Sequence, residues 1–173
     1  MRLPSLYQFF RHQVSHGFNR QGITESATVD YVSEILTRFA ETRRLYPLQD
    51  ISGRPLEYIV DMLEASQQAE SETASAVRGR FILRHVGEYA LFMSGLFRER
   101  LRRRGELDYY IAHGSSAYWR CADCELNPRQ RQVYWHLHHD FGKISGTLNT
   151  MRHEQFPLSP PSLENILGAF WRV

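Results

Sequence analysis

The side chains that could do chemistry fall into three groups. They are His85 with Glu88, the pair Cys121 and Cys124, and a run of His136, His138 and His139 followed by Asp140. Imidazole and carboxylate three residues apart share one helix face and can share a metal ion. Di-metal carboxylate bundles use Glu-x-x-His in this way, on inward-facing positions. Here the order is reversed, and a full site would need further carboxylates, for which Glu57, Asp61, Glu64 and Asp108 are the candidates. The simpler alternative pairs Glu88 with Arg84 at the surface, a contact contributing ~0–1 kcal/mol. Nearby Gly87, Ser94 and Gly95 are small enough to admit a second helix or a flat ligand such as haem. A metal- or haem-dependent oxidoreductase centred on His85 and Glu88 is therefore one functional reading.

Cys121-Ala122-Asp123-Cys124 has C-x-x-C spacing. A redox dithiol needs a thiol of depressed pKa, usually supplied by a helix N-terminus. This pair falls at the end of a helix instead, where the dipole and Asp123 and Glu125 disfavour thiolate. The same spacing is half of a zinc site, which His136, His138 or His139 would complete, giving a zinc-stabilised protein. On a helical wheel, however, Cys121 joins Tyr110, Gly114, Ala117 and Tyr118, so it also reads as a small buried hydrophobe.

The histidine run loses much of its promise once placed on a helix. Val133, Leu137, Phe141, Ile144, Leu148 and Met151 form one apolar stripe, and His136, His139 and Lys143 point away from it. His136 and Asp140, four apart, would make at most a weak pair or a low-affinity divalent site. Trp135 lies nearly opposite the stripe, and a large aromatic residue turned from the core asks for another contact. The C-terminal Phe170 and Trp171 could supply it, or a partner chain. Gly142 and Gly146 on that side would let a second helix come close, which makes this face the interface candidate.

Five arginines, Arg98, Arg100, Arg102, Arg103 and Arg104, precede Gly105. Cations in a last helical turn complement the dipole, so capping explains them without a ligand. The net charge of +2, from 21 basic and 19 acidic side chains, gives no electrostatic case for nucleic-acid binding. No phosphate loop, dinucleotide fingerprint, Gly-x-Ser-x-Gly elbow or His-Glu-x-x-His motif occurs.

The elements that must position these residues are helices. Apolar residues at helical spacing predict segments over 5–16 (stopped by Gly17), 26–43, one beginning at Pro55, 76–104, 107–124 and 128–152, with a short helix from Ser162 to Trp171. From Ala90 to Phe97 the pattern is apolar on every face, which predicts a helix buried all round. The expectation is an all-α single domain over 1–173, a bundle or orthogonal packing of six to seven helices around a central helix at about 76–104. No apolar run approaches the roughly 18–20 residues of a membrane span. Two cysteines and an N-terminus without an apolar leader point to a reducing cytoplasm. With no catalytic constellation surviving face placement, the leading expectation is a non-catalytic protein that binds another protein or a second copy of itself, and needs no cofactor.

Overall fold

The computed structural model describes residues 5–40, 59–70 and 76–155. They form eight helices: α1 (Leu6–Arg20), α2 (Ser26–Phe39), α3 (Ile59–Glu70), α4 (Ala76–Leu96), α5 (Arg98–Arg103), α6 (Leu107–Cys124), α7 (Pro128–His139) and α8 (Phe141–Gln155). No strand occurs among the described residues. The all-α expectation is met. Segments 41–58 and 156–173 lie outside the described residues, and with them the expected helix start at Pro55, the final helix, Glu57, Phe170 and Trp171.

The helix ends follow local chemistry. Ser5 and Gln8 form a reciprocal capping box on α1, at 3.2 and 3.0 Å. Gly17 does not stop this helix, contrary to expectation. It is buried in the helix, where Met151 and Thr147 of α8 pass so close that a side chain would meet them. The stop comes at Gly22, whose φ of +75° lets Ile23 N–H reach back to the Phe18 carbonyl at 2.9 Å. Gly105, at φ +70°, closes α5 in the same manner below its arginines. Asn127 caps α7 through Arg129 N–H and Gln130 N–H, with Pro128 in the first turn.

Two expected long helices are broken. The segment over 76–104 divides at Phe97, and the one over 128–152 divides at Asp140. Neither dividing residue is glycine or proline, although Gly95 and Gly142 each stand two positions away. The apolar stripe of the second survives the break: Val133, Leu137, Phe141, Ile144, Leu148 and Met151 are all buried.

The helix α4 is the hub. It packs most extensively on α6, then on α3 and α8, and touches α2 and α5. From His85 to Phe97 every residue is buried, as the all-round apolar pattern predicts for its second half. Polar groups in that half are satisfied. Ser94 donates to the Leu91 carbonyl, Ser145 of α8 donates to Ser94 at 2.9 Å, and Arg98 donates to Ser145 at 3.1 Å. Outer helices close the circle, since α1 packs on both α2 and α8, and Arg20 pairs with Glu154 at 3.0 Å.

Candidate functional site: a buried carboxylate beneath an open cleft

Glu88 is not at the surface. Its side chain is 2% exposed, and α2 supplies its main partners. Tyr31 donates its hydroxyl to one carboxylate oxygen at 2.7 Å, and Arg38 meets the other at 2.9 Å. Arg84, the partner expected from spacing, stands farther off at 3.7 Å. A carboxylate this deep is tolerated only when paired and hydrogen-bonded. The two arginines are part-exposed, so they carry the compensating charge from the solvent edge inward.

Tyrosines pack around this carboxylate. Tyr31 meets Tyr118 and Tyr134 edge-on at 6.3 and 5.9 Å, and Tyr118 stacks on Tyr134 at 5.9 Å. Tyr118 also lies against Gly87, where an added Cβ would come within 3.0 Å of the ring. Its fully buried hydroxyl has no partner in hydrogen-bonding geometry among the described residues. Burial first, then neighbouring tyrosines and Glu88, push the Tyr31 hydroxyl well above its ordinary pKa. Burial and then Glu88 do the same to Tyr118. Burial also opposes charge on Arg84, but Glu88 and Tyr31 outweigh it and leave its pKa above the ordinary value.

Above this cluster lies a cleft of about 270 Å³. Val77, Arg80, Phe81 and Arg84 of α4 form one wall. Cys121 and Cys124 of α6, Glu125, and Tyr134 of α7 form the other. Cys121 is buried and Cys124 exposed, and both are free thiols. Burial, followed by Glu88, pushes the Cys121 thiol up to about 12, so at neutral pH it is held protonated and slow to react. Its place on the core face agrees with the wheel. The Arg84 guanidinium sits 5.6 Å from the centre of the Phe81 ring, a cation–π contact at the cleft mouth.

The other expected site residues separate. The His85 ring meets Phe39 edge-on at 5.7 Å and stacks on Tyr89 at 6.1 Å, whereas Glu88 turns to Tyr31 and Arg38. His136 reaches α2, with Nδ1 3.3 Å from the Thr28 hydroxyl and Nε2 3.7 Å from Glu25. Asp140 touches His136 through the backbone, donating its N–H to the His136 carbonyl at 2.9 Å while it ends α7. Among the described residues no three His, Cys, Asp or Glu side chains gather where they could hold a metal ion.

Trp135 is partly buried against the core and stacks on His139 at 5.6 Å. A side chain added at Gly142 or Gly146 would meet nothing within 4 Å among the described residues, so no described helix uses that groove.

Sequence reasoning missed a serine–histidine contact between α6 and α7. Ser115 Oγ lies 3.0 Å from His138 Nδ1, a nucleophile–base distance. Both groups also have carbonyl acceptors: Ser115 Oγ donates to the His138 carbonyl at 3.0 Å, and His138 Nδ1 lies 2.9 Å from the Ser115 carbonyl. With each proton on a carbonyl, the pair is a reciprocal clamp between two helices.

Tyr31, Arg38 and the Val77–Phe81 wall were missed as well. Spacing along one helix cannot reveal a partner 57 residues away, although a glutamate bordering an all-apolar stretch was the available signal. Comparison with protein-family models, curated proteins and solved structures gives no match.

Proposed function

We propose that this chain is a helical binding protein that receives an apolar, acidic segment of another protein in the cleft between α4, α6 and α7. The supporting observation is the pair Val77 and Phe81, one turn apart at the cleft mouth and 70% and 42% exposed. Large apolar side chains adjoining a concavity are the usual anchors for a docked helix or strand. Arg80 and Arg84 on the same wall give that segment its charge preference, against the single carboxylate of Glu125. The chemistry beneath the cleft is consistent with binding: the buried thiol and tyrosines are held neutral, and both oxygens of Glu88 are engaged.

A random peptide library displayed against the purified chain tests this reading. Selected peptides should pair carboxylates with large apolar residues, and Phe81→Ala should weaken them roughly tenfold, about 1.4 kcal/mol. Arg84→Ala should weaken the acidic ones selectively. Selected sequences without that signature, or affinities indifferent to Phe81, would refute the site. Sedimentation showing a dimer that Phe81→Ala disperses would replace the foreign segment with a second copy.

A further inference from the structure

We propose that Cys121 and Cys124 are an oxidisable dithiol, which exchanges with a small carboxylate-bearing disulfide and closes to an intrahelical disulfide at the end of α6. Both cysteines sit on the last turn of that helix, and both border the same cleft. One is open to solvent and the other lies behind it, so an entering reagent meets Cys124 first.

The backbone can accommodate the bond. Residues three apart on an α-helix have Cα atoms about 5 Å apart, inside the roughly 4.4–6.8 Å that disulfides span. Their Cβ atoms start at about 5–6 Å and must close to roughly 4 Å. That movement falls on a terminal turn: Cys124 is the last helical residue, Glu125 is already extended, and its N–H bond to Ala122 is long at 3.4 Å. Opposite the thiols stand Arg80 and Arg84, which select a reagent carrying carboxylates.

The exchange runs in two steps. Cys124 gives its proton to water, and its thiolate attacks one sulfur of the small disulfide. A mixed disulfide forms, and the expelled thiolate takes up a proton. Cys121 then loses its proton to water and attacks the Cys124 sulfur, expelling the second small thiol, which is protonated in turn. Two protein thiols have become one disulfide, and one small disulfide has become two thiols. Burial of Cys121 makes the second step the slow one, because little thiolate is present at neutral pH.

Mass spectrometry of the native chain with oxidised glutathione tests the proposal, with cystamine as a disulfide of opposite charge. The Cys124 adduct should appear first and decay to a species two hydrogens lighter than the reduced chain, yielding a linked Cys121–Cys124 peptide. Glutathione disulfide should react about tenfold faster than cystamine, and Arg80→Ala with Arg84→Ala should erase that preference. Cys121→Ala should trap the adduct, and Cys124→Ala should yield neither species. Phenylarsine oxide, which needs two approaching thiols, should bind the unaltered folded chain one to one. Failure to bind it, or a linked peptide formed only after denaturation, would overturn the dithiol. Equal rates for the two disulfides would overturn the carboxylate preference. Thiol chemistry and peptide affinity are read separately, so neither result decides the other.

Discussion

Replacing Gly114 by alanine adds one methyl group where α4, α6 and α8 converge. The new Cβ would overlap the tip of the Phe141 ring and lie 2.7 Å from the Ala90 Cβ. Carbon atoms in contact prefer about 3.5–4.0 Å, so the deficit against Ala90 is close to an ångström. Phe141 is buried and packed on Tyr118, with ring centres 6.2 Å apart, and has little room to swing. Ala90 has no rotamer to change and can retreat only if α4 moves. Overpacking of this kind costs ~1–3 kcal/mol or more, while alanine returns about 1 kcal/mol of helix propensity. The expected net loss is about 2 kcal/mol, given that two rigid neighbours are struck at once. The matched control is Gly146→Ala, interior to α8 with open space beside it, which should gain ~0.5–1 kcal/mol. Urea unfolding followed by circular dichroism, with slopes compared, separates the two by about 3 kcal/mol. A neutral or stabilising Gly114→Ala would refute the close α4–α6 approach. A loss at Gly146→Ala would mean that something packs in that groove.

Other expectations follow from the carboxylate cluster and the thiols. Glu88→Gln removes the charge that Arg38 and Tyr31 share and should cost ~2–3 kcal/mol. Tyr31→Phe should cost ~1–2 kcal/mol, and the double variant less than the sum, with a coupling of ~1 kcal/mol. Independent, additive losses would show that the two do not interact. Under native conditions an alkylating reagent, which cannot be displaced by a second thiol, should modify Cys124 rapidly and Cys121 only on unfolding; two fast thiols would contradict the burial. The contribution of three buried groups to stability should be flat between neutral pH and about pH 9 and fall as pH rises beyond it. The folded Cys121 thiol and the Tyr31 and Tyr118 hydroxyls hold protons that the unfolded chain releases at about 9 and 10. Cys121→Ala should make the fall between pH 9 and 12 shallower, leaving the part owed to the two tyrosines, as read by urea titrations across that range.

Legibility from sequence tracked the distance over which each constraint acts. The burial of Cys121 and the all-round enclosure of Ala90–Phe97 were readable because they need only the helical period. Gly105 and Asn127-Pro128 were readable because caps are local. Gly17 misled for the opposite reason: its missing side chain serves the approach of α8, more than a hundred positions away, and not a turn. Glu88 could be placed on a helix but not given its partners, since a wheel names a face and not what faces it. The same gap hid His136 beside Thr28 and Ser115 beside His138. The break at Asp140 ends the single wheel on which Trp135, Gly142 and Gly146 were aligned.

The circuit by which α1 packs on α8 has a consequence for synthesis on the ribosome. The first two helices emerge with only each other to pack on, because α4, α7 and α8, which cover the rest of their buried faces, follow much later. Contacts between distant segments form slowly and leave apolar surface bare meanwhile. A nascent chain halted before α8 should therefore be sensitive to protease and attractive to chaperones, and release of the remaining segment should be what lets the early helices settle.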